Sequence, residues 1–143
     1  MISPQQRRKS RGRAVEFLFG LDFTKYDWQE SLEEFWDTFA TKPGVKHYAE
    51  ELIAGVRTRI EELDEYIDAA LTSWAPDRVG RVERNILRIA LYELLYRDDV
   101  PTPVAINEAI EVSKLYGAEE SPGFVNAVLD RLKETLLSNK SDS

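Results

Sequence analysis

Cationic side chains are concentrated at the amino terminus of this sequence. Residues 1–13 contain five basic residues and no acidic one, whereas the whole chain of 143 residues carries a net charge of −7, which leaves −12 on the other 130 residues. Guanidinium groups bind phosphate oxygens in bidentate pairs, so this asymmetry indicates a local anion site on a body that repels anions elsewhere. The basic residues are Arg7, Arg8, Lys9, Arg11 and Arg13.

A helix must position these cations. Ser3 and Gln6 match the two halves of a capping box, and Pro4 suits the first position of a helix. The sequence therefore predicts a first helix from Pro4 to Asp22. Three apolar residues near its end are expected to anchor it in the core, namely Phe17, Leu18 and Leu21.

Two of the arginines lie on the same helical stripe as apolar residues, because Arg7, Arg11, Ala14 and Leu18 follow one another at spacings of four, three and four residues. We expect the first two turns to overhang the bundle and to present their arginines to an anion. Two alternatives stay open: a solubilising terminus, or ion pairs with acidic residues of the body. A second group of arginines either extends the patch or forms structural pairs, namely Arg78, Arg81, Arg84 and Arg88.

The rest of the chain is also helical in pattern. Apolar residues recur at spacings of three and four, and no segment alternates with a period of two. These spacings predict an all-α fold of six to seven helices in a single domain over residues 1–137, with a polar tail at residues 138–143.

Three features predict how the later helices are arranged. One long helix is expected from Val45 to about Trp74. The segment 79–97 is apolar nearly all round, which predicts a helix at the centre of the bundle. Thr102 and Ser121 each precede a proline and are expected to cap the last two helices.

Residues for catalysis or metal binding are scarce. The chain has no cysteine and one histidine, His47, which is expected on the surface. Asp64 and Asp68 lie one helical turn apart, but two carboxylates alone make a poor metal site, so a solvated face is expected. We therefore predict no enzyme, no metal and no cofactor. The absence of cysteine and of a long apolar run predicts a cytoplasmic protein with no membrane segment.

Four segments carry a family resemblance. They are RRKSRGRAVEFLF, VERNILRIALYEL, VPTPVAINEAIEVSKLYG and FVNAVLD. In this order and spacing they resemble the NusB family of bacterial transcription antitermination factors over almost the whole chain. The resemblance implies two packed helical sub-bundles within one domain. It also implies binding of single-stranded boxA RNA together with the ribosomal protein NusE, in a complex that keeps RNA polymerase from terminating.

The resemblance assigns roles to particular positions. RNA binding is implied for Arg7, Arg8 and Arg11 with Lys9 in support, and contact with NusE for residues at the end of the first helix and in the VER segment. Family positions linked to RNA also fall near the start of the last helix. The residues outside the basic segment are Phe19, Asp22 and Glu83 for NusE, and Glu120 and Phe124 for RNA.

The sequence departs from the family pattern at three positions. Phe19 stands where a tyrosine is common, so a phenolic hydrogen bond is lost while ring packing is kept. Glu120 replaces an aspartate and places its charge one methylene further out. Ala127 replaces a glycine, which places in doubt any positive φ or close backbone approach there.

Two other classes of protein share parts of this pattern. The same fold serves as an RNA-binding domain of some ribosomal RNA methyltransferases, and a helical adaptor that binds only proteins could carry an incidental basic terminus. The family that the sequence resembles includes both monomers and homodimers, so the resemblance does not predict the oligomeric state.

Overall fold

The protein is described by a computed structural model that covers residues 2–24, 27–71 and 79–141. Within these ranges the chain forms seven helices and no strand, which confirms the all-α prediction. No helix in these ranges is long and apolar enough to cross a membrane. The helices are α1 (Pro4–Leu21), α2 (Trp28–Thr38), α3 (Pro43–Thr58), α4 (Ile60–Ala70), α5 (Arg81–Tyr96), α6 (Thr102–Tyr116) and α7 (Ser121–Ser141).

Helix α5 lies at the centre of the bundle, as its apolar sequence predicts. It contacts α1, α3, α4, α6 and α7, and its Leu87 and Leu91 are completely buried. Helices α1 to α3 pack together on one side, and α4 to α7 form the second group. The predicted pair of sub-bundles is therefore confirmed, with α5 joining the two.

The start of α1 has the predicted capping box. The Ser3 hydroxyl accepts a hydrogen bond from the Gln6 N–H at 3.1 Å, and the Gln6 side chain accepts one from the Ser3 N–H at 2.9 Å. The three predicted anchors near the other end of α1 are buried. The helix is thus fixed at both ends, by its cap and by its apolar residues.

The predicted long helix between Val45 and Trp74 was wrong, because the chain breaks at Arg59. Arg59 has φ −122° and ψ 23°, which separates α3 from α4. Just before the break, the Thr58 hydroxyl donates to the Ala54 carbonyl at 2.8 Å, and such back-bonding is known to bend helices. The apolar spacing continues across the break, so periodicity alone does not reveal it. Trp74 lies outside the described residues.

Three predicted helix ends also require correction. Pro101 occupies the position before α6, so Thr102 is the first helical residue and caps nothing. Ser121 is likewise the first residue of α7, although its hydroxyl accepts a hydrogen bond from the Ala118 N–H at 2.8 Å. Helix α7 continues through Ser141, so the tail predicted to start at residue 138 is helical as far as that residue.

We expect a side chain at Gly55 to disrupt the packing of α3 on α5. A Cβ atom added there would lie 2.2 Å from the ring of Tyr92, so the ring would have to move. Gly55→Ala should lower the free energy of unfolding by about 1–3 kcal/mol, measured by urea denaturation. Gly20→Ala is the matched control, since no heavy atom lies within 4 Å of its added Cβ. Equal stability of both variants would contradict this packing.

Candidate RNA interface

Arg11 lies inside the bundle. Its side chain is 4% exposed, and its Nε and Nη2 atoms donate to the Glu93 carboxylate at 2.9 and 2.8 Å. The Tyr48 hydroxyl also donates to Glu93, at 2.5 Å. The three residues belong to α1, α5 and α3, so this network ties three helices together. The predicted overhang of the first two turns was wrong, because Glu93 neutralises the guanidinium within the bundle.

The network shifts the pKa values of Arg11 and Tyr48. Burial lowers the pKa of Arg11, but the hydrogen bonds and charge of Glu93 outweigh it, so that the net shift is upward. Burial and the adjacent Glu93 carboxylate raise the pKa of the Tyr48 phenol. Both shifts favour a protonated phenol and a charged guanidinium around one carboxylate.

Arg7 and Arg8 lie at the surface but are paired with acidic residues of the body. Arg7 is 2.6 Å from Asp99, and Arg8 donates to Glu108 through two nitrogens at 2.7 and 3.0 Å. Hydrogen bonds from Arg97 and from Arg7 lower the pKa of Asp99 to about 2. The alternative of ion pairs with the body is therefore correct for these two arginines.

The basic side chains of α1 differ in how far they are exposed to solvent. The exposed fractions of the Arg7 and Arg8 side chains are 24% and 45%. Lys9 is exposed and has no acidic partner among the described residues. The basic segment, residues 7–13, thus contains one buried cation, three cations paired nearer the surface, and one lysine without an acidic partner in the described part of the chain.

The exposed side of this segment forms the floor of a groove of about 680 Å³, which we call the basic groove. The floor is a single face of α1, on which Gln5, Lys9, Gly12 and Glu16 recur at helical spacing. One wall is the connection between α2 and α3, and the other is the last turn of α6. The wall residues are Ala40, Thr41, Lys42, Val45, Leu115 and Tyr116.

The Tyr116 side chain, in the α6 wall of the groove, is fixed by a hydrogen bond. Its hydroxyl donates to the Glu16 carboxylate at 3.1 Å, and Glu16 also pairs with Arg13 at 2.9 Å. Burial and the negative charge of Glu16 raise the pKa of Tyr116 to about 12. Neither Tyr116 nor Lys42 was singled out from the sequence. The only local signals were their positions next to the Gly117 terminator and in the TKPG turn.

Two of the predicted NusE-contact residues meet at the other end of α1. The rings of Phe19 and Phe23 pack edge to face at 5.2 Å between centroids, and the Arg81 guanidinium lies 4.8 Å from the Phe23 ring. Arg81 also donates to the Asp22 carbonyl at 3.2 Å, and the Asp22 carboxylate accepts from Asn85 at 3.1 Å. These contacts bring Phe19 and Asp22 to the start of α5.

The third such residue, Glu83, joins α5 to α7. It accepts a hydrogen bond from the Ser121 hydroxyl at 2.6 Å. Glu120 precedes Ser121 and is exposed, whereas Phe124 packs partly buried against the core. We call these five residues, Phe19, Asp22, Glu83, Glu120 and Phe124, the end surface, since they lie near the end of α1 and the starts of α5 and α7.

The position of Ala127 is conformationally ordinary. It is exposed on α7, and no non-glycine residue in the described ranges has a positive φ. The helical backbone at this point therefore accepts an alanine without strain.

Most of the second arginine group is structural. Arg88 forms a bidentate pair with Asp64 at 2.8 and 2.9 Å, and Arg84 contacts Asp68 at 2.8 Å. Asp64 and Asp68 are ion-paired, and Asp68 is 55% exposed on the predicted solvated face. His47 is exposed as predicted. No group of three potential metal ligands occurs in the described part of the chain, and Arg78 lies outside it.

The described residues define a small all-helical protein with a groove lined by four basic side chains. The chain belongs to the NusB family, whose pattern matches residues 8–134. It is 41% identical over 138 residues to the transcription antitermination protein NusB of Desulfitobacterium hafniense, covering 95% of this chain and 92% of that protein. The NusB of Myxococcus xanthus is 39% identical over 134 residues, at 91% and 96% coverage.

Solved structures share the same fold. NusB of T. maritima superimposes with a TM-score of 0.81 at 38% identity, covering 94% of this chain and 93% of that one. A complex of the antitermination factors NusB and NusE with dsRNA gives a TM-score of 0.79 at 27% identity, with 92% and 98% coverage.

Loss of the buried counterion should be costly. Glu93→Gln removes both charge-assisted hydrogen bonds of the buried Arg11 guanidinium and leaves only Glu108, 3.7 Å from its Nη1, as a negative neighbour, so we expect the free energy of unfolding to fall by about 3–5 kcal/mol. The control is Glu111→Gln, which removes an exposed pair with Lys114 and should cost less than about 1 kcal/mol. Urea denaturation measures both values. A loss at Glu93 as small as that at Glu111 would show that the pair does not hold α1 in place.

Proposed function

We propose that this chain is a transcription antitermination factor that binds single-stranded boxA-type RNA together with NusE. The observation that carries the proposal is an exposed basic groove on a chain whose net charge is −7. Membership of the NusB family and the fold shared with an RNA-bound NusB–NusE complex support it. The chain acts by binding and carries no catalytic activity, and it works in the cytoplasm with the RNA polymerase antitermination complex.

The cations divide into two roles. Arg7, Arg8 and Lys9 contact RNA phosphates from the surface of α1. Arg11 positions that surface through Glu93 and makes no phosphate contact of its own, because its guanidinium is buried and already donates to a carboxylate. At the end surface, Phe19, Asp22 and Glu83 contact NusE. Glu120 and Phe124 contact the RNA, as the family resemblance implies.

The acidic partners hold the surface arginines in place without blocking them. The Arg8 side chain is 45% exposed although its partner Glu108 is only 12% exposed, so a phosphate can contact Arg8 while Glu108 stays in place. The same carboxylate repels RNA that makes few other contacts. These acids lower the affinity for any RNA, so the preference for a particular sequence must come from contacts to the bases.

Salt dependence tests the phosphate contacts directly. We expect Arg8→Ala and Lys9→Ala each to lower the slope of log affinity against log salt by about 0.7, the value per phosphate contact for single strands. Glu108→Gln should instead increase the affinity for RNA, since it removes the competing carboxylate. Fluorescence anisotropy with labelled boxA-type RNA in the presence of NusE measures all three variants.

Two comparisons make this experiment decisive. Lys133→Ala removes an exposed cation on α7 and should leave the slope unchanged. The same RNA in duplex form should bind less tightly than the single strand. An unchanged slope in the Arg8 and Lys9 variants would exclude the basic groove as the RNA site. No tighter binding on addition of NusE would exclude the proposed partnership.

A further inference from the structure

We propose that Tyr116 and Lys42 form a second RNA-contacting wall of the basic groove, where the Tyr116 ring stacks on a base of single-stranded RNA and Lys42 pairs with a phosphate. Tyr116 is the last residue of α6, and Lys42 immediately precedes α3. This inference rests on the proposed function. It extends the interface from one helix to three elements that are distant in sequence.

The charges that line the groove fit an extended polyanion. Four basic side chains and one carboxylate line it: Arg8, Lys9, Arg13, Lys42 and Glu16. Glu16 is already engaged, because it accepts hydrogen bonds from Arg13 and Tyr116. Lys9 on the floor and Lys42 in the wall are both exposed, and the described residues provide neither with an ion pair. A ligand with several phosphates can contact both lysines at once.

The Tyr116 ring is positioned as a stacking platform. It lies against the backbone of α1 at Gly12, where an added Cβ would be 3.0 Å from the phenolic oxygen and 3.3 Å from a ring carbon. The hydrogen bond to Glu16 fixes its outer end, and 37% of the residue stays exposed. The adjacent Leu115 is 71% exposed and widens the apolar surface. A ring that is already fixed loses little freedom when a base stacks on it.

The shape of the groove favours a single strand. Residues 5–16 of α1 form a floor about 16 Å long at 1.5 Å per residue, between two walls. Bases in a duplex are already stacked on one another and cannot reach a side-chain ring, whereas the bases of a single strand can turn outward. An aromatic wall beside a basic floor is the usual arrangement for binding single strands.

The experiment combines protein variants with RNA that lacks single bases. Fluorescence anisotropy measures the affinity of the full chain with NusE for labelled boxA-type RNA, in which one nucleotide at a time is abasic. We expect one abasic position to weaken binding to the unaltered protein about fivefold to 150-fold, as stacking on an aromatic ring predicts. Tyr116→Leu should weaken binding of intact RNA by a similar factor. It should also abolish the effect of that abasic position.

Three further variants isolate the causes. Tyr116→Phe keeps the ring and should bind nearly as well as the unaltered protein. Tyr96→Leu is the matched control, since Tyr96 is 40% exposed and bonded to Glu62 outside the groove. Lys42→Ala should lower the salt slope by about 0.7. Circular dichroism of each variant checks that the helices are intact.

Two results would overturn this inference. One is unchanged affinity in Tyr116→Leu, and the other is an abasic effect of the same size with and without the ring. If the Arg8 and Lys9 variants still lower the slope in that case, the proposed function stands and only the second wall is wrong. If the unaltered protein does not bind boxA-type RNA, the proposed function itself fails.

Discussion

The position of α1 depends on the buried ion pair between Arg11 and Glu93. Desolvating two opposite charges is costly, and good geometry is required to offset that cost. Here Arg11 donates two short hydrogen bonds to the carboxylate, and Tyr48 donates a third from α3. Because the pair joins the first helix to the central one, it sets which face of α1 is turned outward.

The cations around this pair range from buried to exposed. Arg7 and Arg97 lie over the Tyr48 ring at 4.8 and 5.0 Å, and both contact Asp99. Arg8 is paired but accessible, and Lys9 is exposed. An acidic protein thereby presents a basic groove without a disordered basic arm, since its own carboxylates hold the arginines in fixed directions.

Local signals in the sequence predict local structure well. The capping box at Ser3 and the apolar anchors of α1 depend on neighbouring residues, and both are correct. The burial of Arg11 could not be predicted in this way, because its partner lies 82 residues further along the chain. The break at Arg59 is hidden by continuous apolar spacing. Tyr116 joins the groove only through packing on Gly12 and a hydrogen bond to Glu16.

Arg11 joins α1 to α5, and we expect it not to contact RNA. The most direct test replaces the buried network by apolar residues of similar size, as Arg11→Met, Tyr48→Phe and Glu93→Met together, which avoids an unpaired buried group. The salt dependence of binding to boxA-type RNA is then measured with NusE. We predict the same slope as for the unaltered protein, because apolar residues of similar size keep α1 packed on α5 when the whole network is replaced. A slope lower by about 0.7 would mean that Arg11 contacts a phosphate, and would contradict the account.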